Sequence, residues 1–192
     1  MEAAEHVLRS LQDTWNETIT YTRRSRRINE SWSWVDADWA CDTETRPSHT
    51  GYILMMNSGL ISWKSRQPFL SLSTSKAEFV AASQASQKVI YLRKTFRDFG
   101  YMQSTATDIF EDNLACIAIN ENLVRQFFCP HIDIRPYFVR ELVKAKHVQR
   151  IPLRTQKMVA DTLMKSLPLP AFIARHKVML GQVSLSLKFL GA

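Results

Sequence analysis

Four acidic residues hold positions where a carboxylate is expensive. Asp36 lies towards the end of "SWSWVDADWA", a run whose Trp32, Trp34 and Val35 read as a core strand, and Asp42 follows close behind. Asp112 closes the short strand expected in "TDIFEDN". Glu78 stands four residues before Ala82, on the apolar stripe Ala82, Ala85, Val89, Leu92, Phe96 and Phe99 of a predicted helix. Asp161 falls in the first turns of a helix expected over "KMVADTLMKSL". A buried carboxylate without a partner costs on the order of several kcal/mol, and four gathered together repel one another strongly. Hard divalent cations with oxygen ligands answer that problem, Mg²⁺ above all beside phosphates. Two such ions about 3.5–4 Å apart can activate a water and stabilise the leaving oxygen of a phosphodiester. Singly, each acid has a plainer reading. Strand-end aspartates serve as turn or cap residues, and Ser75 with Glu78 three positions on would make a helix capping box. The order Asp, Glu, Asp, Asp on one succession of strands and helices is the more specific signal.

Elements of the right kind are legible around them. After the first strand, "GYILMMNSGLISWKSR" reads as two strands joined through Asn57-Ser58-Gly59, and "FLSLS" as a short extended piece. A helix is predicted from Ser73 to Gly100. Then come the strand carrying Asp112, an apolar helix "LACIAIN", a helix beyond Pro136, and a strand in "HVQRIPLR". The helix carrying Asp161 is broken by Pro168 and Pro170, and "AFIARHKVMLG" makes a last amphipathic piece. The order is three strands, helix, strand, helix, helix, strand, helix. Such sheets gather functional groups at the carboxyl ends of parallel strands. If the first and fourth strands are parallel neighbours, Asp36 and Asp112 come side by side, and two helices can deliver Glu78 and Asp161. Upstream, "EAAEHVLRSLQD" has Ala4, Val7, Leu8 and Leu11 at helical spacing, followed by the basic stretch "YTRRSRRINES". Its "RRSRR" reads as a nuclear-import or nucleic-acid patch, or as a solvated loop.

The 192 residues, 45% of them hydrophobic, suffice for one domain of ordinary size with extra chain at the ends. No apolar run approaches the ~20 residues of a membrane span, and "MEAAEHVLRS" does not read as a signal peptide. Cys41, Cys116 and Cys129 form no CxxC pair, which favours reduced thiols over a disulfide frame or a zinc site. Lys and Arg outnumber Asp and Glu by 25 to 18, a surplus of +7 compatible with a polyanionic partner. His131 and Asp133 would share a strand face but lack further ligands at zinc-like spacing. Trp32, Trp34, Trp39 and Trp63 are read as core residues rather than base-stacking platforms. No glycine-rich phosphate loop and no Ser–His–Asp arrangement occurs at motif level.

The stretches "VDADWACDTETRPSHTGYI", "GLISWKSRQP", "LSTSKAEFVAASQASQKVIYLRK", "EDNLACIAI", "HIDIRPYFVRE" and "VADTLMKSLP" carry a resemblance. Over roughly residues 31–181 the sequence resembles the ribonuclease H domain that ends the polyprotein of copia-type LTR retrotransposons. "EAAEHVLRSLQDT" looks like the tail of the reverse transcriptase just upstream. The resemblance implies an α/β ribonuclease H-like fold, a five-stranded mixed sheet flanked by helices. It implies an endonuclease that hydrolyses the RNA strand of RNA–DNA hybrids with two Mg²⁺ ions, Mn²⁺ substituting, and leaves 3′-hydroxyl and 5′-phosphate ends. Asp36, Glu78, Asp112 and Asp161 match the catalytic metal ligands, whereas Asp38 shares the first motif without being one. Implied partners are the hybrid and the reverse transcriptase portion of the same polyprotein, with no membrane. The expected location is a cytoplasmic retroelement particle or the nucleus, not secretion. The expected division is 1–30 as helix and basic linker, 31–167 as the ribonuclease H-like domain and 168–192 as a helical tail. A hybrid would be gripped through phosphates and 2′-hydroxyls, with Lys64, Arg66 and Lys76 as candidates.

The sequence departs from that family at Cys41 (usually Gly), Lys76 (Glu), Pro136-Tyr137 (Tyr-His), Met158 (Gln) and Met164 (Thr). Glu111 replaces a small or uncharged residue and, by strand alternation, points away from Asp112 towards the core. These changes sustain a second reading, an inactive remnant that still folds and binds nucleic acid. An integrase-like strand transferase is disfavoured, because such enzymes place the Glu last of the acids and here it is second. A purely structural, partner-binding module is a further alternative.

Overall fold

A computed structural model of the chain describes residues 2–22, 28–38, 47–70, 74–121 and 135–183. Asp42, Cys41, Cys129, Trp39, His131, Asp133 and "RRSRR" lie outside the described residues. The strands are β1 (Ser31–Asp38), β2 (Pro47–Met56), β3 (Gly59–Leu70), β4 (Thr107–Glu111) and β5 (Val148–Pro152). The helices are α1 (Glu2–Asp13), α2 (Thr74–Asp98), α3 (Leu114–Glu121), α4 (Arg135–Lys144) and α5 (Leu169–Met179). One sheet runs in the order β3-β2-β1-β4-β5. β1 pairs parallel with β4, and β4 with β5; β2 and β3 are antiparallel.

β1 sits at the centre and is buried on both faces, so its apolar–polar alternation changes phase between Trp34 and Val35, and both faces carry apolar residues. On one face, Val35 and Ala37 pack against Ala77, Ala81, Ala85 and Val89 of α2, whose small side chains let the helix lie close. On the other, Trp32 and Trp34 pack with Phe110, Met158, Val159, Ala160 and Val178. The Trp34 and Phe110 rings sit 5.6 Å apart. The expected hairpin turns at Asn57 and Ser58, both at positive φ (51° and 70°), as a type I′ turn requires. β2 starts earlier than expected, at Pro47, and β3 runs on to Leu70, taking in the start of "FLSLS". Pro136 sits at the second position of α4, where its missing N–H leaves no helical bond unmade.

Three expectations are corrected. The segment carrying Asp161 is not an α-helix but two 3-10 turns, Thr155–Lys157 and Val159–Leu163. Met158 before Val159 is extended, which leaves only five residues to turn; they close with an i→i+3 bond, Met164 N donating to Asp161 O at 3.0 Å. Trp63 is not a core residue; it is 56% exposed on edge strand β3. The third concerns the capping box: Ser75 lies inside α2 rather than at its cap position.

The chain before β1 closes over the far end of the hairpin. Thr20 N donates to Leu180 O and Thr22 N to Asn57 O, each at 2.8 Å, while Tyr21 Oη donates to Leu60 O at 2.6 Å. Val7, Leu8 and Leu11 of α1 are exposed.

Candidate metal centre

Parallel pairing sets the first two acids level. Trp34 of β1 is in register with Phe110 of β4, so Asp36 and Asp112, each two residues further on, emerge side by side at the carboxyl ends. Glu78, in the second turn of α2, reaches the same point. One carboxylate oxygen from each of Asp36, Glu78 and Asp112 lies within 4.8 Å of the others. Asp36 is 2% and Glu78 4% exposed, whereas Asp112 is half-buried. Asp161, also buried, stands next to Asp36 but outside this trio.

Such crowding shows in the proton affinities. Burial, then the charges of Asp36 and Asp112, push the Glu78 carboxyl up to about 9. Burial and a hydrogen bond with Asp161 raise Asp36 to about 7, against the pull of Lys165. Glu78 Oε2 is buried without a hydrogen-bond partner among the described residues. Three converging carboxylates, one with an orphaned oxygen, form a donor set suited to a hard cation and able to hold a metal ion.

The surrounding polar groups are residues the sequence reading missed. Lys165 Nζ donates to Asp36 Oδ2 at 2.7 Å and to Asp161 Oδ1 at 2.8 Å. Burial works against this ammonium, but the two carboxylates outweigh it and hold Lys165 above its ordinary value. Arg175 Nη2 pairs with Asp161 Oδ2 at 3.2 Å. Thr155 Oγ1 donates to Asp112 Oδ2 at 2.8 Å. Lys165 left a signal, since it stands four residues after Asp161; nothing local marked Thr155 or Arg175. Beside Asp112 opens a cleft of about 930 Å³ lined in part by Arg154, Thr155, Gln156 and Lys157.

Beneath the site, Glu111 does point into the core, where it pairs with Arg150 of β5. Arg150 also donates to Cys116 O at 3.1 Å. Burial lowers Arg150 to about 10 against the opposing charge of Glu78. Of the nucleic-acid candidates, Lys64 and Arg66 flank Ser65, which is level with Gly51 and hence Asp36. Ser65 Oγ donates to Leu163 O at 2.8 Å, so by alternation Lys64 and Arg66 face the opposite side of the sheet. Lys76 lies in the first turn of α2, its side chain outside the described residues.

Sheet order and helix placement define the ribonuclease H fold. LC11-RNase H1, isolated from compost by a metagenomic approach, superposes with a TM-score of 0.55 at 14% identity, covering 71% of this chain and 93% of that one. No protein-family model matches the chain. Among the homologues of the chain are Pol polyproteins of plant copia-type retrotransposons. The Retrovirus-related Pol polyprotein from transposon TNT 1-94 of Nicotiana tabacum is 29% identical over 168 residues, 87% of this chain and 12% of that protein. That from transposon RE1 of Arabidopsis thaliana is 28% identical over 173 residues, 90% of this chain and again 12% of the relative. The chain therefore corresponds to a small segment of these polyproteins.

Proposed function

We propose that this chain is a divalent-metal-dependent ribonuclease H that cuts the RNA strand of RNA–DNA hybrids, as part of a retrotransposon reverse-transcription polyprotein. The observation that carries the reading is the convergence of Asp36, Glu78 and Asp112 around the orphaned oxygen of Glu78. In this reading the three carboxylates, with Asp161 as the fourth, hold two Mg²⁺ ions. When bound, those ions supply Lewis-acid activation of the attacking water and charge neutralisation at the departing 3′ oxygen. The protein's own part is to fix the acids on strand ends and a helix, and to orient Asp112 through Thr155. The cleft with Arg154 and Lys157 offers cationic groups for the phosphates next to the scissile one. Lys64, Arg66 and Lys76 are held as outer contacts to the hybrid.

Residues 31–167 are proposed as the ribonuclease H-like unit, with 1–30 continuing from a reverse transcriptase portion and 168–192 following as a tail. Work inside a cytoplasmic retroelement particle or the nucleus goes with this reading. One observation favours the inactive remnant instead: the Lys165 ammonium already sits between Asp36 and Asp161. A single assay separates the two. An RNA–DNA hybrid labelled on the RNA strand is incubated with Mg²⁺ and either the parent chain or Glu78→Gln. Cleavage of RNA by the parent alone supports the enzyme. A parent that binds the hybrid yet cuts nothing in Mg²⁺ or Mn²⁺ supports the remnant.

A further inference from the structure

Arg175 projects from α5 into the interior below the acid site and is only 8% exposed. Its Nη2 meets three acceptors: Asp161 Oδ2 at 3.2 Å, Thr155 O at 3.2 Å and Gln156 O at 3.3 Å. Thr155, so held by its carbonyl, donates its hydroxyl to Asp112 Oδ2 at 2.8 Å. One guanidinium thus stands behind two acids that reach the site from different directions, Asp161 from the 3-10 turn and Asp112 from the end of β4.

Stability alone is a poor reason for an arginine here. The neighbouring α5 residue Val178 belongs to the apolar core, and a methionine at 175 would fill comparable space without desolvating a charge. The arginine also leaves Nη1 buried and unpartnered among the described residues. Asp161 has a second cation in Lys165, but that ammonium is shared with Asp36. A divalent ion held by Asp36 and Asp161 would compete with Lys165 for these carboxylates. Arg175 contacts Asp161 through the other oxygen, Oδ2, and so keeps its grip when Oδ1 is given up.

We infer that Arg175 is a positioning residue for the acid site: through Asp161 directly, and through the Thr155–Gln156 backbone and Asp112, it makes α5 part of the metal-binding apparatus. The inference rests on the metal reading given above. Supporting groups behind metal ligands are commonly worth about 10–100-fold in affinity.

The test is a Mn²⁺ titration of the full chain, following free Mn²⁺ by electron paramagnetic resonance, with thermal melts to verify folding. Arg175→Met is expected to weaken Mn²⁺ binding about tenfold or more, and Arg175→Lys to recover part of the loss. In an Asp161→Asn background the Arg175→Met loss shrinks, because part of what the arginine positions is gone. Thr155→Val, which removes the hydroxyl on Asp112 at an exposed position, gives a milder loss and stands in should Arg175→Met fail to fold. Mn²⁺ affinity unchanged in Arg175→Met, or in Thr155→Val if that variant is the one available, overturns the inference alone. An undiminished loss in the Asp161→Asn background overturns it as well. A parent that binds no Mn²⁺ overturns the metal reading and this inference with it.

Discussion

Glu78 is a buried carboxyl facing two others, and its proton affinity is pushed up to about 9. Its folded value lies above its ordinary one, so the folded state keeps a proton that the unfolded chain has released. That contribution is complete below about pH 4.5 and is lost as the pH rises through about 9. Asp36, raised to about 7, acts with the same sign. Without metal, the melting temperature is therefore expected to fall between pH 5 and 9, and Glu78→Gln to flatten the fall; a slope of opposite sign would refute this. Metal affinity should run the other way over that range, rising as Glu78 gives up its proton, with proton release measurable by calorimetry in two buffers. At this scale the sequence was informative wherever a residue broke its local pattern. Glu78 on an apolar stripe and aspartates at strand ends were visible for that reason. Thr155 and Arg175 obey their local patterns, and only tertiary packing brings them to Asp112 and Asp161.

Among elements, β4 and β5 are joined by more than their ladder. Glu111 and Arg150 form a buried ion pair between them, and Arg150 reaches on to the backbone of α3 at Cys116. Breaking such a pair from one side leaves a buried charge uncompensated. Glu111→Ala is expected to cost about 3–5 kcal/mol in urea unfolding, whereas Glu111→Leu with Arg150→Met should come close to neutral. Equal losses in the single and double variants would contradict this account. Strand alternation was enough to aim Glu111 inward; its partner lies 39 residues away and left no local trace. The 3-10 turn at Val159–Leu163 was misread. Its spacing suits an α-helix, but extended Met158 interrupts the run and leaves two short 3-10 turns.

Across the whole molecule, the segment before β1 and the chain after α5 meet at the hairpin end. Gly181 has φ of 71°, and a Cβ there would lie 2.1 Å from Thr20 O. Gly181→Ala should therefore detach the strap and cost about 1–3 kcal/mol, seen as a lower melting temperature. The meeting of Asp36 with Asp112 was readable on the condition that the first and fourth strands are parallel neighbours, as they are; the bonds that tie residues 20–22 to the hairpin end and to Leu180 were not, because they join distant segments of backbone. On the proposed function, hybrid binding is expected to weaken as salt rises, which anisotropy titrations can follow. Whether Asp36, Glu78 and Asp112 hold a divalent ion is best decided by anomalous diffraction from crystals soaked in Mn²⁺. A peak is expected about 2.1 Å from a carboxylate oxygen of each of the three residues. Ordered side chains at all three with no anomalous density between them would contradict the metal reading.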